Sequence, residues 1–247
     1  MLTLVERILG PSYWADPNLG GRAAGHSFVH FDKKGRRLMA HYNKSLNYPA
    51  HPKDEDEHPI RGYIRFNSRS SVYNGHLHDV YMYGLNDKNI DAERRVGGDI
   101  KKISDAITHT PAPHSFHVYT GLRGDPFKKR KLFGVHLLGK SPEGHLKAHL
   151  PAFTSASLSP QIALNFSNWE ENYGATKRHI LKIHIPKGSK HGAYVDHMSG
   201  HGEHEFLLDK GKNIRIHPKP EHFVTSRKDE GMLKPVHYFV WHAHIED

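Results

Sequence analysis

The sequence predicts an α+β protein in which helices come first and short strands, paired mainly antiparallel, follow. Three observations carry this reading. From Ile60 to Ala106 apolar residues recur at helical spacing. From Ser115 onward, β-rich runs take over, separated by Gly, Pro and Asn turns. The two kinds of segment are grouped rather than alternating, which disfavours a wound parallel sheet.

Taken in order, residues 1–58 are rich in turn formers, including Pro11, Pro17, Gly20, Gly21 and Gly25. Within them HSFVHFDKKGRRLMAHY (26–42) predicts a β-hairpin turning at Asp32 to Gly35. The charged run HPKDEDEHP (51–59), bounded by prolines, predicts a linker. The chain is therefore divided into an N-terminal extension, 1–58, and a main domain, 59–247. Val72, Leu77, Val80, Tyr81 and Leu85 mark one helix, and Ile100, Ile103 and Ile107 a second. Strands are predicted in FHVYTGL, KLFGVHLL, HLPAFTSAS, HILKIHIP, HEFLL, NIRIH and HYFVWHAHI. A short helix from Pro160 to Asn172, with Ile162, Ala163, Phe166 and Trp169 at helical spacing and Ser159 as its N-cap, interrupts them. No internal repeat is present.

Composition narrows the chemistry. A chain of 247 residues with 11 Phe, 11 Tyr and 3 Trp spread along it can bury a core despite a hydrophobic fraction of 36%. There is no cysteine, which excludes disulfides, thiolate metal sites and cysteine nucleophiles. No stretch approaches the roughly 18 apolar residues of a membrane span, and the start, MLTLVERILGPSYW, does not read as a secretory signal, so a soluble protein is expected. The net charge of +9 suits polyanions and dinucleotides alike.

Three stretches carry chemistry. In GHGEHEFLLDKG (200–211) Glu203 and Glu205 stand at i and i+2 entering an apolar run; on a strand they would share a face about 6.6 Å apart. Two such carboxylates can divide labour, one ionised beside a cationic transition state and one accepting a proton. A solvated strand face bearing two acids gives the same pattern. In LPAFTSASLSPQIALNF (150–166) Ser155 and Ser157 share a strand face, and a hydroxyl there could hold a glutamate of the neighbouring strand. In SFHVYTGLRGDP (115–126) Arg123 lies between Gly121 and Gly124, where it could grip a pyrophosphate; a solvated turn arginine is the plainer alternative.

In this order and at these separations the three stretches resemble the arginine, Ser-x-Ser and Glu-x-Glu regions of arginine-specific mono-ADP-ribosyltransferases, nearest to bacteriophage Alt-type enzymes. IRGYIRFNSRSSVYNGHL (60–77), with Tyr73 and Asn74, is similar to that family's helical opening, so the likeness spans roughly 60–247. It implies an ADP-ribosyltransferase-like fold: N-terminal helices and two packed, mainly antiparallel sheets around a crevice for NAD, which is the substrate, with no metal needed. It implies Glu205 as catalytic glutamate, Glu203 as the group serving the target arginine, and Ser155 as the residue orienting Glu205. Arg123, Tyr119, Thr120, Gly121, Ser157 and Phe166 are the implied NAD contacts. The turn His191 to Gly202, with Tyr194, is the implied target-recognition element. The sequence departs from the family in reading Ser155-Ala156-Ser157 for Ser-Thr-Ser and Tyr119-Thr120 for the aromatic-Arg pair.

The implied partners are a protein with an accessible arginine, host RNA polymerase or translation proteins among them, met in a bacterial host cytoplasm by an enzyme that could travel in the virion; a secreted bacterial effector fits equally. Other classes stay open at this point. An NAD glycohydrolase would use the same carboxylates with water as acceptor. A basic nucleic-acid-binding module would use Tyr63, Phe66, Tyr81 and Tyr83 near Arg61, Arg65 and Arg69. His76-x-His78 and His242-x-His244 would each put two imidazoles on one strand face, but no carboxylate third ligand or metal signature accompanies them and close pairs arise by chance among 24 histidines, so no metal site is expected.

Overall fold

The structure is a computed structural model that describes residues 14–15, 22–23, 26–27, 30–31, 33–46, 59–65, 67–122, 125–127, 135–167, 177–199, 203–229 and 232–246. The helices that precede the main sheet are α1 (Lys33–Ser45), α2 (Pro59–Arg65), α3 (Asn67–Tyr83) and α4 (Ile90–His109). Short strand pairs precede them, β1 (Trp14–Ala15) with β4 (His30–Phe31) and β2 (Arg22–Ala23) with β3 (His26–Ser27). Then come β5 (Phe116–Leu122), β6 (His136–Lys140), β7 (Leu146–Leu150), β8 (Thr154–Ser157), α5 (Pro160–Phe166), β9 (Lys177–Ile185), β10 (Gly192–Tyr194), α6 (Asp196–Ser199), β11 (Glu205–Leu208), β12 (Lys212–Ile216), β13 (Glu221–Asp229) and β14 (Met232–Glu246). The grouping of helices before strands is as the sequence predicts.

α4 shows why. Val96, Ile100, Ile103 and Ile107 form one buried stripe, acids at Asp91 and Glu93 face the positive end of the helix dipole, and His109 sits at the other end. Ser104, in the second half of the helix, donates to Asp209 just past β11, at 2.8 Å, and so ties α4 to that strand.

Ten strands join in one hydrogen-bonded sheet in the order β10-β11-β8-β5-β9-β14-β12-β7-β6, with β13 also on β14. The described pairs are antiparallel except β9 with β14, which is parallel. Two separate sheets are expected from the sequence, but hydrogen bonding runs through both halves. The reason is the length of β14: 15 residues allow it to pair with β13 over Met232–Val240 and with β12 over Ala243–Glu246, while β9 takes its other edge.

The predicted hairpin is corrected. Its second arm is helix α1, in which Leu38 and Tyr42, four residues apart, are fully buried while Arg36, Arg37 and Lys44 are exposed. Tyr42 packs edge-on against Phe206 of β11, ring centroids 5.8 Å apart, and Phe116 of β5 does the same at 5.4 Å. α1 thus shares the core of the main domain, on the near side of the expected boundary at residue 58; the linker run 51–58 lies outside the described residues. Burying a ring such as Phe206 contributes on the order of 2–3 kcal/mol. Between 60 and 109 there are three helices rather than two, because Pro59 opens a separate α2. Ser159, fully buried, caps α5 as expected, its hydroxyl accepting from the Ile162 amide at 3.4 Å.

Candidate active site

Glu205 opens β11, the strand between β10 and β8, and is 7% exposed. Its register partner on β8 is Ser157, so Ser155 lies diagonally across on the same face. The Ser155 hydroxyl hydrogen-bonds the Glu205 carboxylate. Burial pushes that carboxyl up to about 8, the Ser155 hydrogen bond acts against the rise, and the charges of Glu203 and Asp196 add to it. Glu205 is therefore a desolvated acid poised near neutral pH.

The two glutamates do not sit on one regular strand face. The strand starts only at Glu205, and His204 between them has φ 51°, left-handed backbone that is uncommon for a side-chain-bearing residue. Glu203 is held from outside the strand instead. Its carbonyl accepts from Ser157 Oγ at 2.7 Å, and its amide donates to Asp196 Oδ1 at 2.9 Å. The His204 carbonyl accepts from the Leu158 amide at 3.0 Å, and that of Glu205 from Val195 at 2.9 Å. The segment 203–205 is thus pinned on both sides by backbone contacts while the two carboxylates remain electrostatically coupled.

Tyr63 of α2 borders the same point. Burial raises its phenol, the Asn74 hydrogen bond lowers it and the Glu205 charge raises it further. Asn74 Nδ2 donates to the Tyr63 oxygen at 2.9 Å and to the Phe153 carbonyl at 3.4 Å, fastening α3 to α2 and to the approach to β8. Tyr63 also meets Phe153 edge-on at 5.4 Å. A coupled pair of carboxylates, one held by a serine hydroxyl, between a sheet and a helical wall can stabilise a developing cation and take up a proton.

A family model for the ADP-ribosyltransferase exoenzymes matches residues 34–236. The chain belongs to the ADP-ribosyltransferase exoenzyme family. Three solved structures show the same fold. Plx2a, an ADP-ribosyltransferase toxin from Paenibacillus larvae, is 20% identical with a TM-score of 0.50, over 87% of this chain and 94% of that one. The enzymatic component C2-I of the Clostridium botulinum C2-toxin is 16% identical with a TM-score of 0.56, over 93% of this chain and 53% of that one, so this chain spans about half its length. C3larvin toxin, an ADP-ribosyltransferase from Paenibacillus larvae, is 17% identical with a TM-score of 0.50, over 90% and 97%. Curated protein sequences contain no significant match.

As a member of this family the protein uses NAD as its substrate. Among the described residues no group of three His, Asp or Glu side chains is placed to hold a metal ion. Of the two histidine pairs read as strand-face pairs, His242 and His244 do lie on a strand, and His76 and His78 do not. His76 and His78 lie on helix α3, where His76 Nε2 is 2.6 Å from Glu93 and His78 Nδ1 is 3.3 Å from His136 Nε2. His242 is on β14, 2.6 Å from Glu221, with His244 two residues on. No helix of the described residues is long and apolar enough to cross a membrane.

The other implied site residues fall as follows. Tyr119 is 2% exposed in a small cluster with Ala163, Leu164, Ile180 and Val240, so its ring packs β5 against α5. Thr120 is half-buried on the opposite face, paired with Leu181. Gly121 is where the α5 backbone crosses: a Cβ there would come within 2.5 Å of the Ser167 nitrogen and 2.9 Å of the Ala163 carbonyl. Ser157 is 4% exposed and engaged by Glu203 and Ser159, so it holds backbone in place. Tyr194 is 3% exposed in β10, paired with Phe206, with its hydroxyl 3.4 Å from Asp196 Oδ2. Burial and Asp196 raise that phenol well above its usual range. It braces the root of the turn that follows β10. Phe166 closes α5, though its side chain, like Arg123, Gly124 and the turn residues 200–202, lies outside the described residues.

Sequence reasoning singled out Tyr63 only as an aromatic of a nucleic-acid-binding surface and missed its place beside Glu205; it also missed Asp196 and the left-handed His204. Tyr63 reaches Glu205 only through the docking of α2, which local spacing does not encode. An aspartate directly after the β-run GAYV, seven residues before Glu203, is a turn signal that could have drawn attention to Asp196.

Proposed function

We propose that this protein is a mono-ADP-ribosyltransferase that transfers ADP-ribose from NAD to an arginine of a target protein. The observation that carries the reading is the coupled pair Glu203 and Glu205, with Ser155 bound to the second. Glu205, ionised, offsets the positive charge that grows at the ribose carbon as its bond to nicotinamide breaks. Ser155 keeps that carboxylate in one orientation. A guanidinium is a poor nucleophile while charged, so Glu203 takes its proton as the nitrogen bonds to the ribose carbon. Nicotinamide leaves with the electron pair of the broken bond.

The residues present suit NAD. Asn74 Oδ1 is buried with no hydrogen-bond partner among the described residues, on the amide that holds Tyr63 beside Glu205, and ribose hydroxyls or a carboxamide can satisfy such an acceptor. In this reading Arg123, following β5, grips the pyrophosphate. The likeness to bacteriophage Alt-type enzymes, which rests on the three sequence stretches, supports host RNA polymerase and translation proteins as candidate targets.

The test separates the carboxylates. Glu205→Gln is expected to lose both transfer to an arginine analogue and hydrolysis of NAD. Glu203→Gln is expected to lose transfer while hydrolysing NAD in part. Label on a bacterial protein that hydroxylamine removes supports arginine; retained transfer in Glu203→Gln removes Glu203 from the acceptor role.

A further inference from the structure

The recognition turn is closed at its root by one side chain. Asp196 begins α6 directly after Val195, and its carboxylate spans the turn: Oδ1 accepts the Glu203 amide at 2.9 Å, seven residues on, while Oδ2 lies 3.4 Å from the Tyr194 hydroxyl and 3.9 Å from His204 Nδ1. The Asp196 side chain is 11% exposed and the His204 side chain 8%. A buried carboxylate that accepts a backbone amide holds that amide more firmly than a neutral acceptor does. The amide it holds belongs to Glu203, the residue whose neighbour His204 carries the left-handed backbone. Strain of that kind persists only where surrounding contacts fix it.

We propose that Asp196 is the positioning residue for the carboxylate pair, holding Glu203 outside the strand so that its carboxylate stands beside Glu205 and faces the acceptor. This rests on the reading that Glu203 serves the acceptor nucleophile. Asp196 has two separable effects. Through its hydrogen bond it fixes the Glu203 backbone. Through its charge, together with that of Glu203, it disfavours ionisation of Glu205. The groups facing this point are Glu203, Glu205, His204 and Tyr194 on the turn and strands, Ser155 from β8 and Tyr63 from α2. Asp196 touches no reacting atom, so its removal should change partition and pH dependence rather than abolish cleavage of NAD.

Two variants distinguish the effects. Asp196→Asn keeps an oxygen for the Glu203 amide and removes the charge; Asp196→Ala removes both. Each is measured for transfer to an arginine analogue, for nicotinamide release without acceptor, across pH, and for Tm, beside Glu203→Gln. Asp196→Ala is expected to lower the ratio of transfer to hydrolysis by on the order of tenfold, because a general base out of place loses much of its contribution. Asp196→Asn is expected to keep the ratio within about threefold of wild type and to move the acid limb of hydrolysis to lower pH, since one like charge beside Glu205 is gone. If Glu203→Gln loses transfer but Asp196→Ala keeps the wild-type ratio, or loses both activities in proportion, the role of Asp196 is overturned while the reading of Glu203 stands. If Glu203→Gln retains transfer, that reading fails and the proposal, which rests on it, falls with it.

Discussion

Burying the Glu205 carboxylate should cost this protein stability, and Glu205→Gln should return part of it. The Glu205 carboxyl titrates near 4.5 when unperturbed and is pushed up to about 8 in the fold, chiefly by burial. An acid whose folded value is raised destabilises the fold wherever the unfolded chain would ionise it. The penalty is absent below the unfolded value, grows as pH rises from about 4.5 to 8, and is constant above that. At about 1.4 kcal/mol per tenfold change it reaches roughly 4–5 kcal/mol above pH 8 and is under about 1 kcal/mol at pH 5. A glutamine keeps the shape but buries an amide and meets Ser155 less well, which offsets about 1–2 kcal/mol. The net gain at pH 8.5 is about 2–4 kcal/mol, a rise in Tm of roughly 4–16 °C for a domain of this size. Thermal unfolding of wild type and variant at pH 5 and pH 8.5 measures it. A variant equal to or less stable than wild type at pH 8.5, or a gap of the same size at both pH values, refutes the reasoning.

Other outcomes follow from the same geometry. Ser155 is exposed and bonded to Glu205, so Ser155→Ala should leave Tm within a few degrees, lower the rate of nicotinamide release about tenfold, and move its acid limb to higher pH, since a bond favouring the ionised form is lost. Steady-state rates across pH 6–9.5 check this. Gly121→Ala places a Cβ against the backbone of Ser167 and Ala163, which side-chain motion cannot relieve; a loss of about 3 kcal/mol, or roughly 6–12 °C, is expected in thermal unfolding. His117 is held at about 4 by burial and by the charges of Lys182, His184 and His242. Its contribution to stability is present above about 6.5 and is lost as pH falls through about 4. Differential scanning calorimetry should therefore show a shallower acid decline in Tm for His117→Gln than for wild type.

What the sequence made legible was local. The β11 and β8 segments, the Ser159 cap and the stripe of α4 are encoded in residues a few positions apart, and each is found where spacing and capping chemistry put it. α1 was hidden because HFDKKGRRLMAHY offers a turn-like Asp32–Gly35 and a short apolar run, and only packing of Tyr42 on Phe206 selects the helix. The Glu203 and Glu205 spacing is legible, but a regular strand through both is not what forms. The Asp196 and Leu158 hydrogen bonds override the strand geometry at His204. Continuity of the sheet likewise depends on three partners meeting along β14, a long-range property that alternation cannot show. Tyr119 and Gly121 pack β5 against α5 and Ser157 holds the Glu203 carbonyl, long-range contacts that the local pattern of these residues does not encode.

The central claim is that Glu205 drives cleavage of NAD in an ADP-ribosyltransferase fold. Incubating the purified protein and its Glu205→Gln variant with NAD labelled in the nicotinamide and in the adenylate, in the presence of bacterial lysate, tests it most directly. Wild type should release nicotinamide and leave adenylate label on protein that survives denaturation, while the folded Glu205→Gln variant falls by on the order of 10²–10³-fold in both. Equal activity in the variant, or no nicotinamide release by wild type, would contradict the account.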